Sequence, residues 1–341
     1  MAKKLLKIFL WIIGLIASAI IIFACYFWFK FNQAEQSAGR KVEWESKDGE
    51  ILRNLKYGEG TRNVYDLFLP PTKDSNALML FVHGGAWMSG NKEDIEWAAR
   101  RYTKEGYVSA TINYSRAGKD TLALGGEYSA PSIESMVTEI GMSIDAIIQE
   151  CKRQGITLTQ MAIGGYSAGG HLAMLYATRH AEDSPLPIRF QISWVGPADF
   201  TRLFPTNAEY MSKVWEEDSE ENIRKRKEHQ QTLYFLGGKS LQTDSYSASL
   251  EDSLKRMASP LFQIKENTPP AVLVYGAKDR LVSAKHGKAT NQALEQIGIE
   301  SRLYVFPNSG HELGADPEYS DSVQHTILDF CQRYFGSDKQ Q

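Results

Sequence analysis

Cysteine is scarce in this chain: three residues in 341, Cys25, Cys151 and Cys331, with no Cys-x-x-Cys pair and no Cys/His cluster. That scarcity excludes a disulfide framework and a cysteine-based metal site. Cys25 falls in an apolar run, while Cys151 and Cys331 fall on predicted helices far apart in sequence, which makes them buried free thiols. A surplus of charge is missing as well. The 38 basic and 41 acidic residues leave a net charge of −3 and no basic stripe, so nucleic acid is excluded as a partner. No internal repeat is visible, and no motif for a metal or cofactor. What the chain does have is 43% hydrophobic and 23% charged residues, the balance of a folded domain.

One apolar run stands apart. Ile8 to Phe29 carries no charge over 22 residues and is interrupted only by Gly14 and Ser18. At ~1.5 Å per residue it is long enough to cross a hydrocarbon core of roughly 30 Å. Lys3, Lys4 and Lys7 precede it, and Tyr26, Trp28 and Phe29 crowd its far end, where an aromatic belt would lie. The positive-inside bias puts the N-terminus in the cytoplasm and the remainder outside. Cleaved alternatives fit less well. The small residues Ala17-Ser18-Ala19 lie mid-run, not at its end, and Ile22-Phe23-Ala24-Cys25 is a poor lipoprotein box because of Phe23. The expected organisation is a transmembrane anchor over 1–31, a polar linker over 32–41, and a catalytic domain over 42–341.

From there on, apolar strands alternate with amphipathic helices, which predicts a mostly parallel sheet covered on both faces. Strands are expected at 63–69, 77–82, 107–112, 161–163, 190–195, 271–275 and 302–306. Ile133, Met136, Val137, Ile140, Ile144, Ile147 and Ile148 recur at helical spacing and predict a helix ending near Gln154-Gly155. Val323, Ile327, Phe330 and Tyr334 do the same near the C-terminus. The stretch at about 200–260 breaks this rhythm with an acidic run (Glu216 to Glu221), a basic run (Arg224 to Lys227) and a Ser-rich tract. It reads as a helical cap inserted over the active-site end, its charges forming a solvated face.

The chemistry lies at strand ends. Gly165-Tyr166-Ser167-Ala168-Gly169-Gly170 follows a buried strand and opens a helix. A serine hydroxyl is a poor nucleophile unless it is exposed beside a base, and a sharp strand-to-helix turn exposes it. Small residues two before and two after avoid a clash in that turn, which explains Gly165 and Gly169. His83-Gly84-Gly85-Ala86-Trp87 follows another strand. Its glycines let backbone N–H groups come close to a developing oxyanion, each such donor being worth ~10²–10³ in rate. Gly84, Gly85 and Ala168 are the expected donors, and His83 is expected to brace the loop. His311, in the loop after the last strand, is the expected base, and Glu312 beside it is expected to be solvated. Asp279, just past the preceding strand, is the expected acid, with Asp199 as its rival. The order Ser167, Asp279, His311 is that of α/β-hydrolases.

The segment from about Leu55 to Phe335 resembles the α/β-hydrolase esterases related to hormone-sensitive lipase. Within them it is similar to the HGGxW-type group, which includes small bacterial carboxylesterases and kynurenine-formamidase-like enzymes. The shared marks are His83 to Trp87, Asn113-Tyr114-Ser115-Arg116, Gly165 to His171, Pro269-Pro270, Asp279 and His311. The resemblance implies the fold and a Ser-His-Asp triad. The chain departs from the pattern at Ala86, where the fuller motif has a third glycine, and at Asn113 to Arg116, where many members have Asp-Tyr-Arg. The expected function is hydrolysis of small-molecule carboxylic esters through an acyl-enzyme, with no cofactor. An amidase, formamidase or peptidase on the same triad and a non-catalytic binding protein are the alternatives. The sequence names neither the substrate nor the oligomeric state.

Overall fold

Runs such as Ala77–Val82 (ALMLFV) and Ala271–Gly276 (AVLVYG) have no polar face to give to water, so they can only be stable as interior strands of a sheet covered on both sides. That is where the structure, a computed structural model describing residues 39–120, 122–124, 127–238 and 245–336, puts them. The strands of the main sheet are β1 (Glu50–Lys56), β2 (Val64–Leu69), β3 (Ala77–Val82), β4 (Val108–Ile112), β7 (Gln160–Tyr166), β8 (Ile188–Trp194), β9 (Ala271–Gly276) and β10 (Ser301–Phe306). β5 (Leu122–Leu124) and β6 (Glu127–Ser129) form a separate small hairpin. The eight strands lie in the order β1-β2-β4-β3-β7-β8-β9-β10. β2 pairs antiparallel with both β1 and β4, and every other neighbouring pair is parallel.

Among the described residues, helices α1 (Glu96–Lys104), α2 (Ile133–Arg153), α3 (Ala168–Arg179), α4 (Phe200–Leu203), α5 (Ala208–Glu216), α6 (Glu220–Gly237), α7 (Ala248–Met257), α8 (Lys285–Gln296) and α9 (Pro317–Gly336) connect and cover the strands. One core joins α2 and α3 to the sheet through Met136, Ile140, Ile144, Leu172 and Leu175. On the opposite face α1 and α9 supply Ala98, Tyr102, Ile327 and Phe330, packed on Phe81, Ile192 and Val274. The two buried thiols follow this division: Cys151 lies in the first core and Cys331 in the second.

The predicted interior strands and both long helices are present, with ends that match or shift by a residue or two in most strands, while β7 and the C-terminal helix extend further beyond their sequence signals. β1 was not expected. It is an edge strand with mostly exposed or half-buried residues, and a bulge between Leu52 and Leu55 interrupts its alternation. Four helices, α4 to α7, fill the interval between β8 and β9, where the strand–helix rhythm of the sequence breaks. The charge runs around α5 and α6 are largely exposed, as expected, and only partly paired: Lys225 pairs with Glu221, and Arg226 pairs with Asp218 and donates to the Val214 carbonyl at 2.8 Å.

The apolar run Ile8 to Phe29 and linker residues 32–38 lie outside the described residues. Among the described residues no helix is long and apolar enough to cross a membrane. The chain from the end of the linker into the domain is not free coil. The Gly39 carbonyl accepts from Arg101, the Val42 carbonyl from Arg100 at 3.3 Å and the Glu43 carbonyl from Lys104 at 3.2 Å, so three basic residues of α1 receive the incoming chain.

Candidate active site

Parallel strands all end on the same side, so the loops that follow them converge there, and ligands of open α/β sheets bind at that end. Ser167 sits between β7 and α3 with φ 53° and ψ −118°, a strained backbone for any residue with a Cβ. The turn is possible because its neighbours are bare. A Cβ on Gly165 would lie 2.2 Å from the Gly169 carbonyl oxygen, and one on Gly169 would lie 2.0 Å from that of Val82.

His311 reaches Ser167 from the loop after β10, its Nε2 lying 3.0 Å from the serine Oγ. Its Nδ1 faces Asp279 Oδ2 at 2.7 Å. With Nδ1 carrying the proton toward Asp279, Nε2 is left free to accept one from the serine. The carboxylate is fixed in turn: Oδ1 accepts the N–H groups of Leu281 at 2.8 Å and Val282 at 2.9 Å. Burial alone would raise the Asp279 pKa, but the hydrogen bonds from His311, Val282 and Leu281 and the nearby imidazole outweigh it and hold the carboxyl below its ordinary 3.8. Asp199, the rival acid, is occupied elsewhere as the N-cap of α4, accepting from Thr201 N, Thr201 Oγ1 and Arg202 N. A half-buried but reachable hydroxyl against an imidazole that is itself oriented by a carboxylate is the arrangement that activates serine for attack on a carbonyl.

The loop after β3 carries unusual backbone: φ is 115° at Gly85, 51° at Ala86 and 61° at Trp87. Gly85 suits such values, whereas Ala86 occupies a conformation that favours glycine, which explains the third glycine of the fuller motif. The Gly85 carbonyl turns inward to accept from Met88 N and Ser89 N. Among the described residues no group accepts from the Gly84 or Gly85 N–H, and the Ala168 N–H is an orphan of the first turn of α3. Gly84 lies against the Ser167 turn, where an added Cβ would stand 3.3 Å from the serine Cβ. Donors so placed can face an oxyanion formed at Ser167.

Two histidines brace this loop and are unsuited to proton transfer. His83 is fully buried and stacked on Tyr114 with ring centroids 4.3 Å apart. Its Nδ1–H donates to the Gly84 carbonyl at 2.6 Å, and its Nε2 accepts from Arg62 at 3.2 Å. Burial, reinforced by the nearby Arg62 and Arg116, lowers its pKa to about 3 although the Gly84 bond opposes the shift. His171, in α3, accepts from Trp87 Nε1 at 3.2 Å and donates to the Ala258 carbonyl at 2.7 Å. Its ring stacks on Phe200, and Trp87 in turn meets Phe200, Phe204 and Phe235. The loop after β3, the helix behind Ser167 and the α4–α7 insertion are therefore packed as one aromatic unit.

Sequence reasoning missed the residues that hold His311 in place. Asp316 accepts from Asn308 N, Asn308 Nδ2 and Ser309 Oγ, pinning the loop just before the histidine. Just after it, Glu312 is exposed to solvent as expected, with 61% of its side chain accessible, yet it is also engaged. Its carboxylate pairs with Arg40 at 3.0 Å and its carbonyl accepts from the same guanidinium at 2.7 Å. Tyr166, directly before Ser167, donates its hydroxyl to the His311 carbonyl. The Tyr166 signal was within the serine motif, whereas Arg40 lies 272 residues from Glu312 and has no local signal at all.

Strand order, crossover helices and loop placement define an α/β-hydrolase. The chain belongs to the BD-FAE family, whose family model matches residues 65–294. It is similar to isoprenylcysteine alpha-carbonyl methylesterase ICME of Arabidopsis thaliana, 24% identical over 77% of this chain and 56% of that protein. It is also similar to kynurenine formamidase of Salmo salar, 27% identical over 40% of this chain and 42% of that one. The chain spans a little over half the length of the first curated relatives it matches. Among solved structures, esterase B from Lactobacillus rhamnosis superimposes with a TM-score of 0.60 at 15% identity, covering 94% of this chain and 97% of that one. At that identity the likeness speaks for the fold.

Proposed function

We propose that this protein is a serine hydrolase of carboxylic esters. In this reading Ser167 attacks the ester carbonyl while His311 takes the serine proton. The Gly84, Gly85 and Ala168 amides hold the oxyanion, and His311 returns the proton to the departing alcohol. Asp279 fixes the imidazole tautomer and stabilises the imidazolium. Water then attacks the acyl carbonyl as His311 takes its proton, and His311 returns that proton to Ser167 Oγ as the bond to serine breaks and the acid is released. The observation that carries the reading is the unbroken line from Asp279 Oδ2 through the imidazole to Ser167 Oγ, at 2.7 and 3.0 Å. The esterases among the chain's relatives and structural neighbours agree with it.

The α4–α7 insertion serves as a cap, a role supported by its aromatic packing on Trp87. Residues 1–31 anchor the chain, N-terminus in the cytoplasm and catalytic domain outside. The support for this is the 22-residue uncharged run and the lysines before it. The formamidase relative favours a second reading, an amide or formamide hydrolase on the same residues. A series of p-nitrophenyl esters of increasing acyl length, run beside the matching p-nitroanilides and a formanilide, separates the two. Ester turnover that exceeds amide turnover and vanishes in Ser167→Ala supports the first reading. Faster amide or formanilide turnover supports the second.

A further inference from the structure

We infer that Arg40, contributed by the segment leading out of the N-terminal apolar run, is a positioning residue for the His311 loop, so that the catalytic unit begins upstream of the family-matched region. The inference rests on the proposed roles of Ser167 and His311. Arg40 lies 25 residues before the start of the family match at residue 65. Its side chain is nonetheless only 13% exposed, and its hydrogen bonds converge on the catalytic loops.

The guanidinium lies over the Tyr166 ring, 4.3 Å from its centroid, and donates to the Tyr166 hydroxyl at 2.5 Å. That hydroxyl is thereby oriented to donate to the His311 carbonyl. The same guanidinium takes the Glu312 carbonyl and carboxylate. Two consecutive carbonyls, those of His311 and Glu312, are thus fixed by one cation and one phenol. The next residue, Leu313, has φ 53°, a conformation that a loose loop would leave. Asp316 holds the loop upstream of His311, and Arg40 with Tyr166 holds it downstream. The imidazole between them must keep 3.0 Å to Ser167 and 2.7 Å to Asp279 at once. Placement errors of about 1 Å can cost ~10²-fold in rate. Arg40 is itself held by its backbone surroundings, because α1 grips Gly39, Val42 and Glu43. The arrangement ties the geometry of the catalytic loop to the docking of the chain that precedes it.

The test uses the full-length chain with four variants: Arg40→Ala, Arg40→Lys, Tyr166→Phe and, as control, Ser167→Ala. Arg40→Ala is expected to lower kcat ~10- to 100-fold while KM stays within about twofold, since nothing proposed to touch substrate has been removed. Arg40→Lys keeps the charge but cannot span three acceptors, and should recover only part of the loss. Arg40 also borders a cavity of about 30 Å³ that truncation enlarges, so Arg40→Ala is expected to melt lower. Tyr166→Phe removes only the hydroxyl bridge and should still lower kcat selectively. Unchanged kcat in well-folded Arg40→Ala and Tyr166→Phe overturns the proposal, as does a loss that merely tracks the unfolded fraction or full recovery by lysine in the face of a KM effect. Activity surviving in Ser167→Ala would instead overturn the triad reading on which it stands.

Discussion

Lowering the pH from about 7 to about 5 should strongly destabilise this protein through three buried histidines that have no room for a second proton. His171 accepts from Trp87, His83 accepts from Arg62, and His286 accepts from the Ala198 and Asp199 N–H groups. In each case protonation would turn an accepting nitrogen into a donor facing another donor. Burial is the largest cause of all three shifts, to about 3 for His83 and His171 and about 4 for His286, from an ordinary 6.5. The folded values lie below the unfolded one, so this stabilisation is fully present above 6.5 and is lost as pH falls from there toward the folded values. Over the interval from about pH 7 to about pH 5, linkage makes each group cost about 2 kcal/mol, or roughly 5–6 kcal/mol for the three. That is comparable with the whole stability of many domains, about 5–15 kcal/mol. Urea melts at several pH values measure it. His171→Gln keeps an acceptor for Trp87 and a donor for Ala258 but does not titrate. Its stability should be lower than wild type near pH 7 and should fall about 2 kcal/mol less on acidification. His286→Gln should behave alike. Parallel pH dependences in wild type and both variants would refute the reasoning.

Other consequences follow from single positions. Ala86→Gly should raise the urea midpoint, by up to about 1 kcal/mol of stability, because the left-handed φ of 51° strains alanine. Gly169→Ala should cost about 3 kcal/mol or more and yield little folded protein by circular dichroism, since its Cβ meets the Val82 carbonyl oxygen at 2.0 Å. Asp279→Asn should lower kcat by ~10⁴, whereas Asp199→Asn keeps a competent N-cap and should leave kcat within a few-fold. Steady-state kinetics on matched folded fractions checks that pair.

The interior strands were legible because burial on both faces demands unbroken apolar runs, as in Ala77–Val82 and Ala271–Gly276. Ser167, Asp279 and His311 were legible because each stands at a strand end in a tight local setting, and the structure brings all three within hydrogen-bond distance. The edge strand Glu50–Lys56 was not, since an edge half open to solvent carries no continuous apolar signal and its bulge breaks the alternation. Arg40 fell within the expected linker, and Glu312 is solvated as expected, but neither position signalled that the two would pair. Their contact depends on how the chain returns past β7 after hundreds of residues, and no local pattern encodes it. His171 lay in plain view within the serine motif, but its bond to Trp87 joins two motifs that only the folded chain brings together.

The central claim is that Ser167 is a nucleophile activated by His311. Incubating the full-length protein with a fluorophosphonate and mapping the adduct by peptide mass spectrometry tests it most directly. The account predicts a single stoichiometric adduct on Ser167, formed far more slowly in His311→Ala and absent in Ser167→Ala. An adduct on any other residue, or labelling that persists undiminished in Ser167→Ala, would contradict it.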